Sequence, residues 1–133
     1  MPTGGCFCGA VRYSFTGEPV GKAICHCLNC RKISGTAYST NVLIPADAFT
    51  VTAGTPKTYT WVGGSGKPIT SFLCGDCGST MWIAAHSGMK VVKAGTLDDA
   101  DALDLAKPQA EIFVTRRANW VQEIQGAAQK EEM

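Results

Sequence analysis

Seven cysteines in three short clusters constrain the fold of this chain more than any other feature. The central cluster, residues 25–30, reads CHCLNC and holds three thiols. Cys6 and Cys8 stand near the start of the chain, and Cys74 and Cys77 follow past its middle. Thiolates are strong, soft ligands for zinc, so clusters of this kind predict metal binding rather than packing alone. A metal shared by distant clusters would hold remote segments of the chain together.

Length and composition favour one globular domain of an ordinary kind. The chain has 133 residues, of which 45% are apolar and 17% charged, with a net charge of +1. We expect a single domain over residues 1–125 and a frayed tail over residues 126–133. The absence of a basic stripe argues against nucleic-acid binding. No apolar run is long enough to predict a membrane span. Nothing in the sequence specifies an oligomeric state.

The start of the chain bears on the redox state of these thiols. The first residues, MPTGG, lack the charged and apolar regions of a signal peptide, so we expect a cytoplasmic protein with reduced thiols. A disulfide framework would also leave one of the seven cysteines unpaired. Inert cysteines buried in a core are the other alternative, and the clustering argues against it. Zinc binding is therefore the favoured interpretation.

Short strands dominate the predicted secondary structure. Alternating, β-branched and aromatic patterns predict strands over 10–15, 20–24, 38–44, 49–52, 58–62, 69–73, 80–84, 89–94 and 111–114. One or two helical turns are expected over 31–34, ended by Gly35, and a short helical piece within 97–105. The segment 63–68, GGSGKP, is interpreted as a turn, with a substrate lid as the alternative. The sequence predicts a mainly β fold that a metal would stabilise.

Ligand counting divides the thiols into a set of four and a set of three. Four protein ligands usually close a structural zinc site, whereas a catalytic site has three and an open position. One division joins the first pair of cysteines to the last pair and leaves the central three. The other joins the first pair to Cys25 and Cys27, and leaves Cys30 with Cys74 and Cys77. Spacing alone permits both.

Two histidines could complete a set of three thiols. His26 lies between two candidate ligands, so we expect its side chain to point away from the metal. His86 stands in a predicted turn over residues 86–88. A surface or supporting role is favoured for each of them. If either did bind, the second site would be closed and structural.

Several motifs together resemble one known family. They are residues 5–13 (GCxCGAVRY), 25–32 (CHCxxCRK), 72–79 (FxCxxCGS), 94–98 (AGTLD) and Trp120. This pattern resembles the glutathione-dependent formaldehyde-activating enzyme family, whose domain is shared with centromere protein V. The likeness runs from about Gly4 to Trp120. It implies an Mss4-like fold, built from several small coiled antiparallel sheets and held by a structural zinc.

The resemblance also implies roles for all seven cysteines. It implies two zinc ions per chain, a structural one on Cys6, Cys8, Cys74 and Cys77, and a catalytic one on Cys25, Cys27 and Cys30. The implied reaction is that of a carbon–sulfur lyase, which reversibly joins formaldehyde to the thiol of glutathione. Three thiolates give the zinc site a net charge of −1, which favours capture of the substrate thiol over polarisation of the aldehyde. The implied partners are therefore a small thiol and an aldehyde.

Residues that would bind the substrate are less well defined by the sequence. Arg31 and Lys32 could meet a substrate carboxylate, although exposed surface charges are the favoured interpretation. Asp98 and Asp99 lie in a matched motif, but a turn would explain them equally well. A second hypothesis is a non-catalytic zinc module that binds a protein partner, since fold alone does not fix function. A thiol redox enzyme, the third, would need a reactive cysteine outside both metal sites.

Overall fold

Two β-sheets and two short helices make up the structure, a computed structural model that describes residues 1–85 and 87–133. The strands are β1 (Thr3–Gly5), β2 (Arg12–Phe15), β3 (Gly21–Cys25), β4 (Ser39–Pro45), β5 (Phe49–Ala53), β6 (Lys57–Val62), β7 (Pro68–Leu73), β8 (Thr80–Ala84), β9 (Met89–Lys93), β10 (Ala110–Ile112) and β11 (Ala128–Gln129). The helices are α1 (Leu28–Ser34) and α2 (Ala102–Leu105), and 3-10 turns cover Ala46–Ala48, Ala94–Thr96 and Val114–Arg116. Within the described ranges, neither helix has the length and hydropathy needed to cross a membrane.

The prediction of a mainly β fold is confirmed, with eight strands joined in one mixed sheet. The smaller sheet has the order β1-β2-β5, and the larger one β11-β10-β3-β4-β9-β8-β7-β6. Neighbouring strands are antiparallel except in two pairs, where β10 lies parallel to β3 and to β11. Long connections separate these partners in sequence, and a parallel pair needs such a connection. These pairings place β10 between the end of the chain and β3, the strand that leads into the central cysteines.

Aromatic side chains join the two sheets in the core. Tyr13 and Phe49 belong to the smaller sheet, and their rings lie 5.3 Å apart. Trp82 of the larger sheet lies 4.8 Å from Phe49 and 5.7 Å from Tyr13, while Phe72 stacks on Trp82 at 5.1 Å. Gly4 is required here, because a Cβ at this position would come within 2.4 Å of the Tyr13 hydroxyl oxygen. This packing fixes the first strands, and with them the first cysteine pair, against the larger sheet.

The last residues of the chain include one strand that the sequence does not predict. Residues 126–133 were expected to fray, yet β11 pairs with β10 and Ala127 is buried. The Lys130 amide donates to the Glu111 carbonyl, and the Gln129 side chain donates to the Glu111 carboxylate at 2.6 Å. The polar sequence shows no sign of this strand, because its contacts are backbone hydrogen bonds to β10 and a side-chain bond to one buried carboxylate.

Segment boundaries otherwise follow the patterns in the sequence closely. The helical turns end at Gly35 in a left-handed conformation, as predicted. The segment 63–68 closes the β6–β7 hairpin, with the Gly66 amide donating to the Gly63 carbonyl at 3.0 Å, which supports the turn interpretation. β1 was not predicted. Of the predicted turn at 86–88, His86 lies outside the described residues.

Candidate metal centres and the adjoining cleft

Two consecutive structural elements, β3 and α1, bring the central thiols together. Cys25 ends β3, Cys27 caps the start of α1, and Cys30 lies in its first turn. The Cys27 sulfur accepts a hydrogen bond from the Cys30 amide at 3.3 Å, as a capping side chain does. All three sulfur atoms lie within 4.8 Å of one another, and among the described residues no fourth ligand joins this group. Cys25 is buried, whereas Cys27 and Cys30 are half-buried. The group therefore has a protected side and a side open to solvent.

Crowding of the thiols separates their protonation states. Hydrogen bonds from Cys25 and Cys30, together with backbone amides, lower the pKa of Cys27 to about 2. The corresponding bonds to Cys27 and Cys30, together with burial, raise the pKa of Cys25. A thiolate is thus favoured at Cys27 at neutral pH. Negative charge concentrated on sulfur is what a zinc ion requires of its ligands.

The four remaining thiols meet across two turns that are distant in sequence. Cys6 and Cys8 follow β1, and Cys74 and Cys77 occupy the turn between β7 and β8. The Val11 amide donates to the Cys6 sulfur at 3.2 Å, and the amides of residues 76 and 77 donate to the Cys74 sulfur at 3.4 and 3.5 Å. Backbone donors directed at sulfur are favourable for thiolates. The amide pattern expected for a zinc-binding turn is present.

Ser79 connects these two turns. Its hydroxyl oxygen accepts a hydrogen bond from the Phe7 amide at 3.0 Å and lies 3.3 Å from the Cys77 sulfur. The hydroxyl and the amide of Ser79 lower the pKa of Cys77 to about 5. A thiolate is therefore favoured at this position, and the first turn is fixed against the second. Gly78 permits the tight return, with a φ of +80°.

Sulfur spacing in the four-thiol group fits a tetrahedral zinc ion. Zinc–sulfur bonds of about 2.3 Å imply sulfur–sulfur distances of about 3.8 Å in a tetrahedron. The Cys6–Cys8 and Cys8–Cys74 sulfur distances are both 3.7 Å, and all four sulfurs lie within 4.8 Å of one another. Both groups could hold a metal ion. The structure thus brings the cysteines together as four and three, and joins the first pair to the last pair.

His26 points away from the thiols, as predicted, and enters a buried network. Its Nε2 lies 2.8 Å from Glu111 Oε1, and both side chains are fully buried. The other carboxylate oxygen accepts from the Ile124 amide at 2.8 Å and from Gln129, while Arg117 lies 3.3 Å from Oε1. Burial raises the pKa of Glu111, but these donors outweigh it and hold that pKa at about 2. An ionised carboxylate therefore supports the loop that carries the three cysteines.

A cleft of about 660 Å³ is lined by residues that neighbour both thiol groups in the fold, such as Ser39 and Ser79, although none of the seven cysteines is itself a lining residue. Its walls come from the end of α1, the start of β4 and the segment between them, from the turn after Cys77, and from the C-terminal end of β9. Trp120 completes the lining. The lining residues are Ile33, Ser34, Thr36, Ala37, Tyr38, Ser39, Thr40, Gly78, Ser79, Thr80, Lys93, Gly95 and Trp120. Trp120 is 75% exposed, so its indole forms an open wall. A small molecule in this cleft would lie close to the residues that follow each cysteine set.

Four other residues named from the sequence lie away from this arrangement. Arg31 and Lys32 are exposed on α1 and are not among the lining residues of the cleft. Asp98 pairs with Arg12 and accepts from the Thr3 hydroxyl at 2.6 Å, so it ties β1 and β2 to the end of the 3-10 turn. Asp99 accepts from the Asp101 amide at 2.9 Å, which is a turn contact. The structure gives both aspartates structural contacts.

Two charged side chains escaped the sequence analysis, Glu111, which is fully buried, and Lys93, which is half-buried. Glu111 was predicted only as part of a strand, and Lys93 only as part of another. Each is a single charge between apolar neighbours in a short strand, as in Val92-Lys93-Ala94. Such a charge must be exposed or paired, so its position in a strand indicates a possible buried ionic or hydrogen-bonded contact. Without the strand register, however, neither partner could be named.

Comparisons with known proteins bear on the whole arrangement. The family model described as "Glutathione-dependent formaldehyde-activating enzyme" matches residues 1–116. A crystal structure of a Rhodobacter sphaeroides protein is similar in fold, with a TM-score of 0.61 and 19% sequence identity. That likeness covers 80% of this chain and 96% of the other.

Proposed function

The chain belongs to the glutathione-dependent formaldehyde-activating enzyme family, and on that premise we propose that it is a zinc-dependent carbon–sulfur lyase. Its substrates would be a glutathione-like thiol and a formaldehyde-like aldehyde. One observation carries the proposal: Cys25, Cys27 and Cys30 form a three-thiol group without a fourth ligand among the described residues. An open ligand position is what distinguishes a catalytic zinc site from a structural one.

The two thiol groups have different proposed roles. Cys6, Cys8, Cys74 and Cys77 form the closed structural site, because four sulfurs complete a tetrahedron and join segments far apart in sequence. The three central cysteines form the catalytic site. When bound there, zinc supplies a Lewis-acid position at which a thiol loses its proton at neutral pH.

The reaction forms one bond and moves one proton. The thiol sulfur bonds to the aldehyde carbon, and the proton lost by sulfur ends on the former carbonyl oxygen; the reverse reaction breaks the same bond. The chain's part is to hold and orient the reactants. The His26–Glu111 contact at 2.8 Å fixes the cysteine loop from its buried side, and the neighbouring cleft receives the substrate.

The cellular setting follows from the same chemistry. All seven cysteines are free thiols in the structure, and both sites need them reduced. We therefore assign the protein to a reducing compartment, the cytoplasm. Its proposed partners are small molecules, with no role for nucleic acid.

Replacement of Cys27 tests the proposed catalytic site. Serine also caps helices well, so Cys27→Ser keeps the start of α1 while removing the central ligand. We expect the zinc-loaded variant to fold and its turnover of glutathione with formaldehyde to fall by at least about 100-fold. Steady-state kinetics and thermal melting measure the two effects. Asn29→Ser, an exposed change in the same helical turn, serves as the matched control and should stay active. Full activity of Cys27→Ser would contradict the assignment.

A further inference from the structure

The cleft beside the three-cysteine group carries a single charged side chain among its lining residues, that of Lys93. The other lining side chains are apolar, aromatic or neutral and polar. Lys93 is half-buried, and none of the described carboxylates forms an ion pair with it. A partly desolvated cation normally has an anionic partner. Two anionic partners are therefore available to Lys93: a ligand bound in the cleft, and the thiolates of the cysteine group.

Strand register connects Lys93 to the three cysteines. Cys25 on β3 stands opposite Ser39 on β4, and Asn41, two residues further along β4, stands opposite Lys93 on β9. Paired residues point to the same face of a sheet, as do residues two apart on one strand. These four side chains therefore share one face. The opposite face carries the hydrophobic core, with Val42 and Val92.

Asn41 holds the lysine in place. The Asn41 amide nitrogen lies 3.0 Å from the Ser39 hydroxyl oxygen and 3.2 Å from the carbonyl oxygens of Ser39 and Ala23. Its carbonyl oxygen is thereby turned toward β9 and accepts from the Lys93 ammonium at 2.7 Å. An ammonium has three donors, and Asn41 uses one of them. Lys93 is thus fixed in position while retaining donors for a ligand.

We propose that Lys93 selects carboxylate-bearing thiols, its ammonium receiving the carboxylate while the sulfur of the same molecule goes to the three-cysteine group. This inference rests on the proposed function and names the substrate class for that same site. Burial lowers the pKa of Lys93, whereas the negative charge of Cys30, Cys25 and Cys27 favours its charged form. What carries the assignment is position, because Lys93 is the one basic side chain among the residues that line the cleft and it shares a sheet face with Cys25.

Lys93 takes the role that the sequence had offered to Arg31 and Lys32. Those two side chains are exposed on α1, where water screens their charges, and neither lines the cleft. A half-buried cation discriminates an anion more strongly, because the surrounding dielectric is lower. We therefore assign selection of the thiol to Lys93 on β9 rather than to Arg31 and Lys32 on α1.

A pair of matched thiols tests the proposal by binding rather than by turnover. 3-Mercaptopropionate and 2-mercaptoethanol both carry a sulfur on a two-carbon chain, and only the first carries a carboxylate. Binding to the zinc-loaded chain is followed by calorimetry and by tryptophan fluorescence, to which Trp120 in the cleft contributes. We expect the carboxylate thiol to bind about tenfold or more tightly than the neutral one.

Variants of one strand isolate the charge. Lys93→Met should weaken binding of 3-mercaptopropionate about tenfold or more and leave 2-mercaptoethanol unchanged. Lys93→Gln, which can still donate to Asn41, should show the same loss, and Lys93→Arg should retain part of the preference. Lys90→Met removes a charge from the same strand, where Lys90 lies over the Phe72 ring, and should behave as wild type.

Three other outcomes would overturn the proposal, and each would identify which part of it is wrong. If Lys93→Met lowered the affinity for both thiols equally, the lysine would only balance the charge of the cysteine group. Equal affinity of the wild-type chain for both thiols would overturn the selection but leave thiol binding, and so the proposed function, standing. If the zinc-loaded chain bound neither thiol, the inference and the proposed function would fall together.

Discussion

Glu111 places a fully buried carboxylate between the cysteine loop and the end of the chain. It bonds His26 on one side and the Ile124 amide and Gln129 on the other, with Arg117 nearby. A buried charge of this kind is tolerated because each oxygen has donors, and removing the charge leaves those donors without an acceptor. One side chain thus joins three segments that are distant in sequence.

Replacing Glu111 with glutamine should destabilise the folded chain strongly. The new amide nitrogen would face other donors, so we expect a loss of about 3–5 kcal/mol in the free energy of unfolding. Urea denaturation of the zinc-loaded protein measures it. Glu123→Gln, at an exposed position, is the control and should lie within about 0.5 kcal/mol of wild type.

The same carboxylate predicts a pH dependence. The pKa of Glu111 is lowered from 4.5 to about 2 in the folded state, so its stabilising contribution is complete above the ordinary value. As the pH falls through about 4.5 toward 2, that contribution is lost. The stability gap between wild type and Glu111→Gln should therefore shrink over this range. A gap that stays constant would show that the charge of Glu111 is not what stabilises the fold.

At the residue scale, sequence reasoning reaches furthest where the chemistry is local. Spacing and thiol chemistry identified the seven candidate ligands, and the three central ones meet within a single loop and helical turn. Glu111 and Lys93 depend instead on which strands become neighbours. The contact between Lys93 and Asn41 spans 52 residues, and no local pattern specifies it.

At the scale of elements, the turn between β7 and β8 joins the two sheets through sulfur. Cys74 is 2% exposed and accepts from two backbone amides of its own turn. Metal binding by such a turn contributes directly to folding, since the site does not exist in the unfolded chain.

Cys74→Ser should therefore unfold the chain or destabilise it by several kcal/mol. The change removes one ligand of the proposed structural zinc, and with it the link between this turn and Cys6 and Cys8. Thermal melting followed by circular dichroism measures the effect. Asp76→Ser in the same turn is the matched control, because it is exposed and is not a ligand. An unchanged melting temperature for Cys74→Ser would contradict the structural assignment.

Strands were predicted well where alternation marks a buried face, and less well elsewhere. β4 and β9 appear close to their expected bounds, because both carry apolar residues on one face. β11 has only two residues, which is too short for an alternating pattern to predict it. The parallel setting of β10 likewise depends on the long connection that follows β9 rather than on its own three residues.

The whole molecule contains two thiol groups, and the proposal requires two zinc ions per chain. Native mass spectrometry of the purified protein should find two zinc ions, with the mass or occupancy changing when glutathione is added. The physical reason is that the three-thiol group has an open position for sulfur, whereas the four-thiol group has none.

The zinc count of variants is the control for this prediction. Cys27→Ser should retain one zinc firmly, in the four-thiol group. A wild-type chain that never holds more than one zinc would contradict the catalytic proposal. Two zinc ions that do not respond to glutathione would keep both sites and point to another thiol.

The proposed structural zinc would also constrain the order in which a newly made chain matures. Cys6 and Cys8 leave the ribosome early, but their partner Cys74 is synthesised 66 residues after Cys8. During that interval the central thiols emerge complete and compete for the same ion. Zinc captured by Cys6 and Cys8 together with the central loop would have to be released before the native pairing could form. Cells that make this protein quickly while short of zinc should therefore accumulate misassembled chains.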